Sequence, residues 1–256
     1  MTADTTSPAR PPSPGFAAHG PLHLGIVGCS AEGAALCYRT ICAEGAALFG
    51  PHAHPEISMH TPSLHRYVDA LDRGDLEAVA DLMLDSAHRL RAAGAQLLLC
   101  PDNTIHQAFD LVQARTPLPW LHIARVVADE ARARGFRRVG VLGTQWLVRS
   151  EVYPAALEAV GIEAVRPTDA WRDELGARIM DELVTGQLQP GTVERFQRAI
   201  DALRERGCDA VVLGCTEIPL IINDDNASLP TLDSTRLLAR AALRAAVGTR
   251  APLAPT

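Results

Sequence analysis

The sequence of 256 residues contains no lysine, because all 24 of its basic residues are arginine. An enzyme that holds pyridoxal phosphate as an internal aldimine needs a lysine amine, and a P-loop NTPase needs the lysine of its phosphate-binding motif. The sequence excludes both classes. Its net charge of -6 and pI near 5.8 also argue against a broad basic surface for nucleic acid.

Long apolar runs and metal-binding cysteine patterns are absent too. No apolar run approaches the roughly 20 residues of a membrane span, and the six cysteines form no C-x-x-C pair. Residues 1–21 are rich in Pro, Ser, Thr and Ala, so we expect a disordered N-terminal tail, and residues 247–256 predict a flexible C-terminal tail. We therefore expect a cytoplasmic protein with no metal, no membrane and no nucleic-acid partner.

Short apolar runs alternate with longer amphipathic stretches. The runs at 24–28, 96–100, 139–143 and 210–214 are typical of buried parallel strands. Apolar residues at helical spacing predict a helix over 75–93, with Asp75 as its N-cap and Gly94 as its stop. A second helix is predicted over 192–206, between Thr192 and Gly207. The alternation favours an α/β fold with parallel sheets.

The two helix–strand units can be superposed in sequence by placing Gly94 on Gly207, an offset of 207 − 94 = 113. The helix faces and the strands then agree, which predicts two pseudo-symmetric α/β halves with a cleft between them. In the same register Cys100 falls on a strand position, so we expect it to be a core residue. Asp102, and not Cys100, is then placed like Cys215.

Small polar residues follow four of the predicted strands, where α/β proteins bind ligands. Their side chains and backbone N–H groups suit a carboxylate, and helix N-termini lower the pKa of a nearby thiol. Two proton-transfer groups that face each other across a cleft suit deprotonation of a carbon acid on one face and reprotonation on the other. The polar segments are Gly28-Cys29-Ser30-Ala31, Asp102-Asn103-Thr104, Gly143-Thr144-Gln145 and Gly214-Cys215-Thr216-Glu217.

At these segments the sequence resembles the aspartate/glutamate racemase superfamily. VLGCTEIPLII (212–222) is similar to its second cysteine motif, and Asp102-Asn103-Thr104-Ile105-His106 occupies the place of its first, which reads Cys-Asn-Thr-x-His. The resemblance runs over roughly residues 22–246. Further similar stretches are GIVGCSAEGAALCYRTI (25–41), PLPWLHI (117–123), RRVGVLGT (137–144), MDELVTG (180–186) and LPTLDST (229–235).

The resemblance implies two Rossmann-like α/β domains with the active site between them. We place the first domain at 22–117 plus 218–246 and the second at 118–217. It also implies racemisation or epimerisation of an acidic amino acid of the aspartate or glutamate type, without a cofactor, and a homodimer. Cys215 would be the thiolate base on one face. Ser30, Asn103, Thr104 and Thr216 would hold the substrate carboxylate or amine.

The sequence departs from the family at the first catalytic position, where Asp102 replaces cysteine. The ordinary pKa of aspartate is ~3.9 against ~8.5 for cysteine, so a base at this position needs a raised pKa. A protonated Asp102 facing a Cys215 thiolate is one resting pair. Alternatively, Asp102 binds a substrate amine and only Cys215 transfers a proton.

Other side chains complete the predicted site. Glu217 assists Cys215 or binds an amine, and His106 supports Asp102 or acts as a cap. Thr144 is expected to bind substrate, and Trp146 and Arg149 to shape the pocket. Thr61, with His60 and Arg66, follows a predicted strand at about the place where the family binds the distal carboxylate. Cys29, Cys37, Cys42 and Cys208 are expected to be packing residues.

Two other functions stay open at this point. One is a cofactor-independent decarboxylase or cis–trans isomerase of a small dicarboxylic acid in the same superfamily. The other is a non-catalytic protein that binds a small acid in the same cleft.

Overall fold

Two parallel four-stranded sheets of the same strand order form the framework of the computed structural model, which describes residues 20–247. The first has the order β2-β1-β3-β4 and the second β6-β5-β7-β8, so the two halves share one topology. This confirms the predicted fold class. The strands are β1 (Leu24–Val27), β2 (Ile57–His60), β3 (Leu97–Leu99), β4 (Trp120–Leu121), β5 (Arg138–Leu142), β6 (Glu163–Val165), β7 (Ala210–Leu213) and β8 (Thr231–Asp233).

Helices connect and cover the strands. Within residues 20–247 none of them is long and apolar enough to cross a membrane. Nearly all of both predicted tails, residues 1–19 and 248–256, lies outside the described residues. The helices are α1 (Ala31–Phe49), α2 (Leu64–Asp72), α3 (Leu76–Ala92), α4 (Phe109–Gln113), α5 (Ile123–Ala133), α6 (Gln145–Arg149), α7 (Val152–Glu158), α8 (Asp169–Arg178), α9 (Thr192–Glu205) and α10 (Ser234–Val247), with short 3-10 turns at Thr104–Ala108 and Ile218–Leu220 and a π-helical turn at Ile179–Leu183.

The predicted boundaries of α3 are confirmed. The Asp75 carboxylate accepts a hydrogen bond from the N–H of Ala78 at 2.9 Å, and Gly94 follows the helix with φ +98°, a conformation that glycine adopts at little cost. The predicted range 192–206 is one residue too long for α9, which begins at Thr192 and ends at Glu205. Thr192 is the first helical residue and does not precede the helix.

Each sheet is covered on both faces, as parallel sheets require. Along β1, Leu24 and Ile26 pack in one cluster with α1 and α10, while Val27 packs in another with α2 and α3. The second sheet divides its side chains in the same way between α8 and α9 on one face and α5 and α7 on the other. The alternating side chains of each strand therefore fill two cores.

The predicted domain boundaries need two corrections. β4 pairs with β3 and belongs to the first sheet, although the prediction placed residues from 118 onward in the second domain. β8 pairs with β7 in the second sheet, although the prediction placed 218–246 in the first domain. Within residues 218–246, only helix α10 packs against the first sheet. Its Leu238 and Leu243 lie in one cluster with Leu24 and Leu97.

Candidate active site

The carboxyl ends of β1 and β3 bring Cys29 and Asp102 together in the first half. The parallel register pairs Ile26 with Leu99. Three residues after this pair in each strand, the same register places Cys29 beside Asp102. Hydrogen bonds to the Cys29 side chain and to the backbone N–H groups of Thr104 and Ile105 favour the ionised form of the Asp102 carboxyl, and the bond from Ile105 N measures 3.0 Å.

The second half places Thr144 and Cys215 in the same way. The register of β5 and β7 pairs Leu142 with Leu213, and two residues further Thr144 stands beside Cys215. The segments that follow these strands in both halves line one cavity of about 40 Å³. Its lining residues are Cys29, Ser30, Leu64, Tyr67, Val68, Leu71, Asp102, Thr104, Ile105, Thr144, Trp146, Ile179, Met180, Val184, Cys215, Thr216 and Glu217.

Cys215, Thr216 and Glu217 form a hydrogen-bonded group on the second half. The Cys215 thiol donates to Oε2 of Glu217 at 2.9 Å, and the Thr216 hydroxyl donates to the same oxygen at 2.9 Å. The other carboxylate oxygen, Oε1, is buried and has no hydrogen-bond partner among the described residues. A buried oxygen without a donor is costly, so it is a ready acceptor for a substrate ammonium.

Burial raises the pKa of the Cys215 thiol well above its ordinary value, and the adjacent Glu217 carboxylate raises it further. The thiol form is therefore favoured at rest, contrary to the predicted thiolate. The site does not use a helix N-terminus to lower the pKa of the sulfur, because the segment after β7 is a short 3-10 turn. Glu217 is instead placed to accept the thiol proton.

Asp102 is half-buried, and burial raises the pKa of its carboxyl. The negative charge of Glu217 acts in the same direction, while the hydrogen bonds from Ile105, Cys29 and Thr104 oppose it. The direction agrees with the predicted need for a raised pKa. The charge of Asp102 also contributes to the raised pKa of Cys215.

His106 supports the backbone next to Asp102 rather than its carboxyl. Its Nδ1 lies 2.6 Å from the carbonyl oxygen of Asp102, and its Nε2 accepts the N–H of Ile123 at 3.4 Å. Nδ1 is therefore the protonated nitrogen. Burial lowers the pKa of His106 to about 4, so the ring is neutral near pH 7.

Two hydroxyl pairs join the halves across the cavity. Thr104 and Thr144 share a hydrogen bond of 2.8 Å, and Ser30 and Thr216 share one of 3.2 Å. Because Thr216 gives its proton to Glu217, Ser30 donates to Thr216. Ser30 also caps α1 by accepting the N–H of Gly33 at 3.2 Å.

Asn103 is not among the residues that line the cavity. Its Oδ1 accepts the hydroxyl of Tyr153 at 2.6 Å, and its Nδ2 donates to Ser234 at 3.0 Å. The side chain therefore ties the first half to α7 and α10. Its predicted role in substrate binding stays a prediction, and the hydrogen bonds occupy the side chain elsewhere.

Thr61 is exposed and also lies outside the cavity lining. It packs against Gly28, where a Cβ would stand 2.3 Å from its hydroxyl oxygen. His60 turns away to Ser86, at 2.9 Å, and Arg66 does not line the cavity. The structure does not bring this predicted distal-carboxylate group together with the rest of the site.

The sequence reasoning missed Cys29 and most of the apolar wall. Trp146 was expected to shape the pocket and does line it, but Leu64, Tyr67 and Val68 from α2 and Met180 from the π-helical turn were not anticipated. π-Helical turns often mark functional sites. Within residues 20–247, no group of His, Cys, Asp or Glu is arranged to hold a metal ion.

A family model described as Asp/Glu/hydantoin racemase matches residues 26–242. The broad specificity amino-acid racemase RacX of Bacillus subtilis is 24% identical over 169 residues, which are 65% of this chain and 71% of that protein. The glutamate racemase of Koribacter versatilis is 29% identical over 210 residues, covering 70% and 68% of the two chains.

A solved structure from Yersinia pestis, provisionally described as an Asp/Glu racemase, is similar over nearly its whole length. Its TM-score is 0.80 at 31% identity, with 88% of this chain and 99% of that chain covered.

Proposed function

The chain belongs to the Asp/Glu/hydantoin racemase family, and we propose that it racemises or epimerises an α-amino acid by cofactor-independent proton transfer. One observation carries the proposal. Cys215 and Asp102 come from strand ends of opposite halves and line the same cavity. An α-carbon held between them can lose its proton on one face and gain one on the other.

Four hydroxyls line the place where a substrate carboxylate can bind, and they bond to one another or to Glu217 in the structure. Ser30, Thr104, Thr144 and Thr216 line the cavity and stand in two pairs between the halves. When the α-proton leaves, negative charge develops on the carboxylate oxygens. Hydroxyl protons turned from these bonds toward the carboxylate would stabilise that charge.

The two carboxylate oxygens of Glu217 have different roles in this proposal. Oε1 lacks a partner among the described residues and can accept the substrate ammonium. Oε2 holds the thiol proton of Cys215. When Cys215 acts as the base, this carboxylate takes the thiol proton as the sulfur takes the α-proton. When Cys215 acts as the acid, the thiol is already protonated.

An acidic amino acid of the aspartate or glutamate type is the predicted substrate, and the cavity wall supports a second candidate. The lining residues of the described chain include no Arg, Lys or His, and they include the carboxyls of Asp102 and Glu217. Leu64, Val68 and Met180 form an apolar wall instead. This composition favours an amino acid with an uncharged side chain.

Hydrogen exchange in deuterated water tests the proposal. Each enantiomer of aspartate, glutamate, alanine and methionine is incubated with the enzyme, and α-deuterium is followed by NMR and chirality by chiral chromatography. We expect exchange with inversion for at least one pair, and the preferred pair decides between the two side-chain classes. No exchange with any of the eight compounds would contradict the racemase proposal.

The same incubations address the alternative reactions. Small dicarboxylic acids are added to the panel, because Asp102 in place of a thiol makes the two proton-transfer groups unequal. Release of carbon dioxide or a cis–trans change, without exchange of any amino acid, would favour the decarboxylase or isomerase over the racemase.

We also propose a homodimer and a cytoplasmic location, as the family resemblance suggests. Light scattering after gel filtration measures the mass in solution. A mass of twice the 27.4 kDa chain supports the dimer, and the mass of one chain contradicts it. Fractionation of the native cells locates the protein.

A further inference from the structure

A second thiol, Cys29, lines the same cavity and is used by no step described so far. It lies at the end of β1 and is only 3% exposed. The register of β1 and β3 sets it beside Asp102. Burial raises the pKa of the Cys29 thiol, and its interaction with the Asp102 carboxyl raises it further.

The residues that follow the first and third strands can be compared between the two halves. In the second half the thiol of Cys215 stands at the end of the third strand of the half, with the threonine Thr144 beside it on the first strand. In the first half Asp102 occupies the third-strand position, and the thiol of Cys29 stands on the first strand. Each half therefore offers one thiol and one carboxyl to the cavity, as Cys29 with Asp102 and Cys215 with Glu217.

We propose that Cys29 is the catalytic residue that exchanges the proton with the α-carbon on the first-half face, and that Asp102 is its partner carboxyl. The proposal rests on the racemase function proposed above and changes one part of it, because Asp102 then acts through Cys29 and not on the α-carbon itself. It explains how a chain that lacks the first-motif cysteine keeps a thiol on both faces. Sulfur is well suited to this exchange, since a thiol is a far weaker acid than an ordinary carboxyl.

The proton balance closes in both directions. When the first half acts as base, the α-proton forms a new S–H bond at Cys29, and the former thiol proton passes to the Asp102 carboxylate. The C–H electron pair stays on the substrate. The thiol proton of Cys215 then forms the new C–H bond on the opposite face and leaves a thiolate. Proton exchange with solvent restores the starting state. In the opposite direction the halves exchange roles: Cys215 takes the α-proton and passes its thiol proton to Glu217, and the thiol proton of Cys29 forms the new C–H bond.

Substitution of Cys29 by Ala and by Ser tests the proposal through single-face exchange. Without the first-half thiol, Cys215 can still remove and return a proton on its own face. We expect racemisation to fall by about 100-fold or more. One enantiomer should keep α-deuterium exchange with retention of configuration, within about threefold of the wild type, and the other should lose it. Cys37→Ala is the control, since Cys37 is a buried thiol of the same half that does not line the cavity.

Two outcomes would overturn the assignment. One is racemisation within about threefold of the wild type in Cys29→Ala and Cys29→Ser. The other is an equal loss of exchange for both enantiomers in both variants, which is the behaviour of a merely structural residue. Circular dichroism melts show which of the two variants is folded, and the exchange result is taken from that variant.

A measurement without turnover separates this proposal from the racemase function. The S–H stretching band of Cys29 is identified in the infrared spectrum by its loss in Cys29→Ala. We expect Asp102→Asn to shift that band, because the hydrogen bond to the charged oxygen changes, and Asp110→Asn to leave it in place. An unshifted band in Asp102→Asn contradicts the pairing. If the wild type exchanges no α-hydrogen, the racemase proposal is contradicted. The infrared measurement still tests the pairing of Cys29 with Asp102, because it needs no turnover.

Discussion

At the scale of single residues, Cys215 is a protonated thiol held by a carboxylate. Burial and the charge of Glu217 both raise its pKa, so the sulfur needs a proton acceptor before it can act as a base. Glu217 provides that acceptor through the hydrogen bond of 2.9 Å. In the proposed mechanism the thiolate therefore forms only as Cys215 takes the α-proton from the bound substrate.

Cys215→Ser keeps a hydroxyl donor to Glu217 but removes the sulfur. Because a serine hydroxyl is a much weaker acid than a thiol, we expect the racemisation rate to fall by about 10²- to 10⁴-fold with little loss of stability. Kinetics by chiral chromatography, with a urea titration, measure both. Cys208→Ser is the control, since Cys208 is buried in the same half away from the cavity. A Cys215→Ser variant with wild-type activity contradicts the mechanism.

Asp102→Asn should change the pH dependence of stability. The pKa of Asp102 is raised in the folded state, so between the ordinary value of ~3.9 and the raised value the folded state binds more protons than the unfolded state. Its contribution is fully present below the ordinary pKa and is lost as pH rises through the folded pKa. We expect Asp102→Asn to unfold at higher urea than the wild type at pH 7, and the difference to shrink toward pH 4.

The control for that series is Asp110→Asn, on the exposed side of α4. Asparagine at 102 can still accept the N–H of Ile105, so the loop remains supported. If Asp102→Asn raises the urea midpoint by the same amount at pH 4 and pH 7, ionisation of the Asp102 carboxyl is not the cause of the added stability.

At the scale of elements, Ser30 has two tasks at the start of α1. It caps the helix through Gly33 N and bonds to Thr216 of the other half. Gly33 allows this approach, because a Cβ there would stand 2.8 Å from the hydroxyl oxygen of Thr216. The residue that caps the helix is therefore also one of the proposed carboxylate-binding residues.

Ser30→Ala and Asp75→Ala form a matched pair. Both remove an N-cap that accepts a backbone N–H, so each should lower the free energy of unfolding by ~1 kcal/mol. Only Ser30→Ala should also reduce kcat/KM, because Asp75 caps α3 and does not line the cavity. Urea titration and steady-state kinetics distinguish the two. An equal effect on kcat/KM in both variants would make Ser30 a structural residue only.

Much of the site follows from local sequence and the internal repeat. The offset of 113 placed Asp102 like Cys215, and both line the cavity. The partners of Asn103 could not be predicted in this way, since Tyr153 and Ser234 lie 50 and 131 positions away. The approach of Cys29 to Asp102 depends on the pairing of two strands, which no local periodicity encodes. The partners of Asn103 and the position of Cys29 therefore depend on contacts between distant elements, which the sequence motif does not contain.

At the scale of the whole molecule, the Tyr153–Asn103–Ser234 bonds hold the halves in one relative position. We expect Tyr153→Phe to leave Oδ1 of Asn103 without its donor and to lower the free energy of unfolding by ~1–3 kcal/mol. The rate of racemisation should fall too, because the hydroxyl pairs between the halves lose their alignment.

Urea titration and exchange kinetics measure both effects of Tyr153→Phe. Tyr38→Phe is the control, because Tyr38 is 42% exposed on α1. Loss of stability without any change in rate would show that the bond holds the fold together but does not align the site.

The return of α10 to the first sheet also orders events during synthesis on the ribosome. Leu24 and Leu97 are made early, but their cover includes Leu238 and Leu243, which are made after the strands of both sheets. The half that is translated first must therefore expose this apolar face until the second half is complete, a period in which nascent chains are prone to aggregate.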